Sequence, residues 1–258
     1  MRVFYMGGAG NDFMVIDSRG QKQDHEALAK KLCKLTNADG FMALDESETA
    51  DFRLHFYNSD GTRGEMCGNG SRCICKFAYD LGIAGTKMTV QTDAGIVCGE
   101  RLGENQYRVK LNNPGVFDLH RREDCAYIEL GSPGVPHGVT QIQGLCFGDA
   151  QRLHDYAVQL RHAHEFPKGA NINFYTWLDE SSVRVLTFER GVEDYTLACG
   201  TGSASVAAVL WAQGLLKGNA LTVHVPGGTL KVTLEAQEQA ITALYLEGPA
   251  QTLKIYDV

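Results

Sequence analysis

Two stretches about half a chain apart follow one pattern, and any fold must accommodate both. Cys67-Gly68-Asn69-Gly70-Ser71-Arg72 runs into Cys73-Ile74-Cys75-Lys76-Phe77-Ala78-Tyr79, which reads as a helix. Ala198-Cys199-Gly200-Thr201-Gly202-Ser203 runs into Ala204-Ser205-Val206-Ala207-Ala208-Val209-Leu210, again a helix. The first helix ends at Leu81-Gly82 and the second at Gln213-Gly214, equally far from their cysteines. Beyond them Thr89-Val90 matches Thr222-Val223 with one residue inserted, and Gly95 matches Gly227-Gly228. Duplication of one α/β unit accounts for this register better than two unrelated domains do.

The elements around the repeat point to an α+β fold of two pseudo-symmetric lobes. Strand-like alternation covers 51–57, with Phe52, Leu54 and Phe56 against Arg53, His55 and Tyr57. Further strands are expected over 1–5, 14–17, 88–92, 171–175, 183–188, 221–225 and 230–234, and helices over 24–34 and 149–162. The lobes are expected to be 1–115, carrying Cys67, and 116–258, carrying Cys199. The last strand, near Leu253-Lys254-Ile255-Tyr256, could return to the first lobe.

A net charge of −7 and the lack of a Lys/Arg block argue against nucleic-acid and anionic-membrane partners. The N-terminus lacks the apolar run of a signal peptide, and no stretch approaches a membrane span, so a cytoplasmic enzyme is expected. The chain has eight cysteines but is long and unsignalled, so reduced thiols are expected rather than a disulfide framework. Cys33, Cys98, Cys125 and Cys146 read as small buried residues. Cys73-x-Cys75 is neither a redox pair nor half of a zinc site at the usual spacing, so no metal is expected.

The paired motifs carry chemistry. A helix start offers unpaired N–H groups and a partial positive charge, which suits a carboxylate and favours thiolate over thiol. Equivalent loops of pseudo-symmetric halves would aim Cys67 and Cys199 at one point. Opposed proton carriers suit inversion at an acidic C–H centre. One thiolate removes the proton, the other thiol supplies one to the opposite face, and N–H donors stabilise the charge that develops. Either motif alone reads equally well as a turn before a packed helix with a small buried cysteine; two in register favour the chemical reading.

The residues resemble the diaminopimelate epimerase family, cofactor-independent amino-acid epimerases that use two cysteines. The likeness runs through Gly10-Asn11-Asp12-Phe13, Ala38-Asp39-Gly40 and Phe56-Tyr57-Asn58-Ser59-Asp60-Gly61. It continues through Glu65-Met66-Cys67-Gly68-Asn69-Gly70-Ser71-Arg72-Cys73, Pro136-His137 and Phe166-Pro167-Lys168-Gly169-Ala170-Asn171. Glu189-Arg190-Gly191, Thr196-Leu197-Ala198-Cys199-Gly200-Thr201-Gly202 and Glu247-Gly248-Pro249-Ala250 complete it. The resemblance implies two lobes, each a strand-rich half-barrel around a central helix. It implies interconversion of L,L- and meso-diaminopimelate in lysine biosynthesis, with no cofactor, no metal and a homodimeric enzyme. It makes Cys67 and Cys199 the acid/base pair. Gly68, Asn69, Gly200 and Thr201 would cradle the reacting carboxylate, with Asn11 beside them. Asn58, Asn171, Glu189 and Arg190 would hold the amino groups and the far carboxylate. The chain departs from the family pattern at Val135, where the family usually has Asn, at Tyr195, where Glu is frequent, and at Gly7, where His is common. The alternatives are a racemase of another amino acid such as histidine on the same scaffold, and a non-catalytic amino-acid-binding protein.

Overall fold

The computed structural model describes residues 1–64 and 67–258; Glu65 and Met66, quoted in the motif above, lie outside the described residues. The chain forms two compact units, Met1–Lys110 with Glu247–Val258, and Leu111–Leu246. The division falls before the 115/116 point read from sequence, because Pro114 already pairs with Leu130 in the second unit.

The first unit runs β1 (Arg2–Gly8), β2 (Asn11–Asp17), α1 (His25–Leu32), β3 (Gly40–Asp45), β4 (Phe52–Asn58), β5 (Arg63–Gly64), α2 (Gly68–Asp80), β6 (Lys87–Thr92), β7 (Gly95–Arg101) and β8 (Gln106–Leu111). The second runs β9 (Pro114–Asp118), β10 (Ala126–Gly131), β11 (Gly134–Gln141), α3 (Ala150–Arg161), β12 (Asn171–Asp179), β13 (Ser182–Glu189), β14 (Asp194–Thr196), α4 (Gly200–Ala212), β15 (Ala220–Val225), β16 (Gly228–Gln237) and β17 (Ala240–Pro249). The final strand, β18 (Gln251–Asp257), pairs antiparallel with β1, Val3 opposite Tyr256.

Pairing repeats between the units. β1–β2 is antiparallel, β2–β3 parallel, β3–β4 antiparallel, β4–β6 parallel and β6–β7 antiparallel. β10–β11, β11–β12, β12–β13, β13–β15 and β15–β16 follow the same alternation. The parallel steps are the crossovers that carry helices, as parallel neighbours require. The long helices also end alike. Gly82 at φ +68° and Gly214 at φ +70° take the left-handed conformation that glycine adopts without a Cβ penalty. Ile83 N–H then donates to Ala78 O, and Leu215 N–H to Leu210 O, both at 2.9 Å.

α2 and α4 are the central helices. α4 is buried from Gly202 through Leu210, as a helix apolar on every face must be. α2 is buried from Asn69 through Ala78, Arg72 and Lys76 included. α3 instead buries one stripe, Leu153, Ala157 and Leu160, against Phe166, Ile172 and Phe174. Two cysteines depart from expectation. Cys33 and Cys125 are buried, but Cys98 and Cys146 are exposed. Cys98 lies on β7 between buried Val97 and buried Gly99, so strand alternation turns it outward. Cys146 precedes a short turn, and its N–H donates to Asp149 Oδ2 at 2.8 Å. Among the described residues no helix is long and apolar enough to cross a membrane.

Candidate active site

Each long helix begins on a cysteine. Cys67 caps α2 with φ −128° and ψ 123°, and Cys199 caps α4 with φ −116° and ψ 112°. Both are extended, as an N-cap is, while the carbonyl already accepts the first helical bond. Ser71 N–H donates to Cys67 O at 2.7 Å and Ser203 N–H to Cys199 O at 2.9 Å. The first N–H groups of each helix have no partner within the helix and face outward from its start. The environments differ. Cys67 is half-buried and Cys199 is 7% exposed. Gly202 N–H donates to Cys199 Sγ at 3.3 Å, and Thr201 Oγ1 stands 3.5 Å from it.

Burial pushes the Cys199 thiol well up, the charge of Glu189 adds to this, and the Thr201 and Gly202 donors oppose it. This corrects the expectation that a helix start would hold the thiol low. The helix field is present, but removing the sulfur from water costs the anion more than two donors return.

In the first unit an amide chain leads away from the cysteine. Arg72 Nη2 donates to Asn69 Oδ1 at 2.7 Å, Asn69 Nδ2 to Asn11 Oδ1 at 2.6 Å, and Asn11 Nδ2 to Asp39 Oδ2 at 2.9 Å. The chain fixes which end of each amide points where. Arg72 is fully buried and also reaches Pro249 O and Gly68 O, each at 3.4 Å. Cys67, Gly68, Asn69 and Asn11 are thus brought together. Asn58 is exposed and bonded within its own turn, its Nδ2 to Thr62 Oγ1 at 2.9 Å and its N–H to Thr62 O at 2.8 Å.

In the second unit Glu189, Thr196, Gly200 and Thr201 gather at Cys199. Thr196 Oγ1 donates to Glu189 Oε1 at 2.5 Å. Burial raises the Glu189 carboxyl above its usual range, against hydrogen bonds from Thr196 and Cys199. Asn171 is 6% exposed; Arg190 N–H donates to its Oδ1 at 2.8 Å, and its Nδ2 reaches Pro136 O at 3.4 Å. The Arg190 guanidinium is exposed and donates to Lys168 O at 3.0 Å. Val135, next to Pro136, is 37% exposed. Tyr195 packs edge-on against Phe188 with ring centroids 5.5 Å apart, so its aromatic body serves the core. Sequence reasoning missed Arg72, Asp39 and Thr196. Arg72 stands three residues after Asn69, the helical spacing at which side chains meet, which was the available signal.

The family model for diaminopimelate epimerase matches residues 3–114 and 131–253. The chain belongs to the diaminopimelate epimerase family. The diaminopimelate epimerase of Chlorobaculum tepidum is 36% identical over 259 residues, covering 96% of this chain and 97% of that protein. That of Flavobacterium psychrophilum is 33% identical over 257 residues, covering 97% of each. In fold, a phenazine biosynthesis protein of the PhzF family from Bacillus anthracis superposes with a TM-score of 0.76 at 15% identity, covering 100% of this chain and 98% of its own. A probable proline racemase from Agrobacterium radiobacter gives 0.71 at 17% identity, covering 100% and 92%. The chain is an isomerase of the epimerase type.

Proposed function

We propose that the protein interconverts L,L- and meso-diaminopimelate by proton transfer between Cys67, Cys199 and the substrate α-carbon. The observation that carries this is the pair of cysteines, each the N-cap of a thirteen-residue helix with matching backbone angles, in a chain of this family. The step balances without a cofactor. A thiolate takes the α-proton and becomes a thiol, the carbon holds the electron pair briefly, and the second thiol protonates the opposite face and becomes a thiolate. The helix-start N–H groups of Gly68, Asn69, Gly200 and Thr201 stabilise charge spreading onto the α-carboxylate. Glu189, set by Thr196, accepts from the α-ammonium. Asn11 lines the reacting end through Asn69. Asn58, Asn171 and Arg190 hold the far amino and carboxylate groups, and an Arg fork suits a carboxylate. Burial favours the protonated thiol at Cys199. A cytoplasmic homodimer completes the reading.

Val135 favours one competing substrate assignment, because it puts an alkyl side chain beside the Asn171–Pro136 contact where a hydrogen-bonding group would serve a second charged end. The test is a panel of amino acids incubated with the protein in heavy water and scored for α-deuterium. Exchange into diaminopimelate and not histidine is expected. Exchange into histidine alone would overturn the substrate assignment.

A further inference from the structure

Gly202 is the third residue of α4, and its N–H donates to the Cys199 sulfur at 3.3 Å. What lies under Gly202 holds that donor in place. A Cβ built on Gly202 would stand 2.3 Å from Asn173 Oδ1 and 3.1 Å from Thr187 Oγ1. The glycine therefore rests on the Asn173 side chain with no room for a larger residue. Asn173, on β12, is fully buried and committed at both ends of its amide. Thr187 Oγ1 donates to Oδ1 at 2.9 Å, and Nδ2 donates to Gly138 O at 2.9 Å. The other amide hydrogen faces His137 Nδ1 at 3.2 Å. Burial pulls His137 down to about 3, so its ring is neutral near pH 7 and Nδ1 can accept. His137, Asn173 and Thr187 form a dry polar chain, each 3% exposed or less.

The matching glycine of the first unit rests on something else. A Cβ on Gly70, three residues after Cys67, would meet Met42 Sδ at 3.3 Å and Phe13 Cζ at 3.4 Å. The duplicated units keep the thiol and the glycine on different floors, apolar under one and amide under the other.

We infer that Asn173, held by Thr187 and His137, is a positioning residue for Cys199 alone, fixing the Gly202 N–H against the sulfur. An N–H aimed at sulfur supports the thiolate, so Asn173 matters whenever Cys199 must carry the negative charge. The charged group acting on Cys199 is Glu189 from β13, and the one acting on His137 is Arg190. Asn173's role presupposes the two-thiol chemistry above.

Thr187→Val deletes the hydroxyl that orients the amide, and Thr187→Ser keeps it. Asn173→Asp keeps the shape and loses both N–H donors. Two readouts apply: kcat and KM with each diaminopimelate isomer, and iodoacetamide labelling of Cys67 and Cys199 in substrate-free protein at a pH above about 8.5, where the Cys199 thiol begins to react, resolved by peptide mass spectrometry. Asn173→Asp and Thr187→Val are expected to lower kcat about tenfold with KM within about twofold. Both should slow Cys199 labelling several-fold and leave Cys67 labelling unchanged, whereas Thr187→Ser should label Cys199 at the parent rate. Unchanged Cys199 labelling in Thr187→Val would overturn the inference, as would equal slowing of both cysteines. Labelling needs no substrate, so a parent protein inactive on diaminopimelate would sink the functional reading and leave this result standing.

Discussion

At the scale of single residues, the two cysteines are equivalent by position and unequal by environment. Cys199 is buried beside Glu189, which holds its proton on, whereas Cys67 is half-buried. Iodoacetamide at neutral pH is therefore expected to label Cys67 first, with Cys199 reacting only as the pH is raised well above about 8.5, the ordinary thiol value. Peptide mapping of a labelling time course checks this; faster labelling of Cys199 would contradict it. Arg72 predicts a stability effect. Its guanidinium satisfies Asn69 Oδ1 and reaches Pro249 O and Gly68 O in a buried setting. Arg72→Met should cost about 3 kcal/mol in urea unfolding by stranding these acceptors. The cysteines were legible because a thiol before Gly-x-Gly occurs twice. Arg72 was not, because a basic residue on a helix ordinarily faces water and nothing local marks the buried face.

At the scale of elements, the repeat is written in backbone requirements. Gly82 and Gly214 both close a central helix at positive φ, and a Cβ on either meets nothing within 4 Å. Replacement by Ala adds only left-handed strain, about 1 kcal/mol at each position. The two variants should lower the melting temperature by similar amounts, a few degrees, as read by circular dichroism. Widely different shifts would count against the equivalence of the two helix ends. Helices α1 and α3 were legible from apolar spacing, and their ends fell within two residues of the expected ones because Asp24 caps α1 and the sequence leaves α3 at His162. Strands β8, β9 and β17 were not singled out; β8 interleaves Arg108 and Lys110 with its apolar residues, and β9 opens on Pro114-Gly115, so both read as loop. Cys98 was misplaced because it sits in an apolar-looking run whose alternation, read strictly, turns it outward.

At the scale of the molecule, duplication gives each unit the same chain of antiparallel and parallel pairs around one helix, with the last strand β18 paired to the first, β1. Buried thiols are spread through both units, and they make stability depend on alkaline pH. Burial raises Cys33 and Cys125 to about 11 and Cys73 and Cys75 to about 12. The unfolded chain loses these protons from about pH 8.5 while the folded chain keeps them. Stability is therefore full below that value and falls as pH rises towards 11, by up to about 1.4 kcal/mol per pH unit for each thiol. Melting curves from pH 7 to pH 11 should show a steep decline above about pH 9. A flat profile would contradict the buried thiols. The most direct test of the two-thiol account is the fate of the α-hydrogen of L,L-diaminopimelate in heavy water, followed by NMR for the parent, Cys67→Ser and Cys199→Ser. The account predicts meso product carrying one deuterium at the inverted carbon in the parent, and loss of epimerisation by about a hundredfold or more in each variant. Epimerisation that survives either substitution at the parent rate would contradict it.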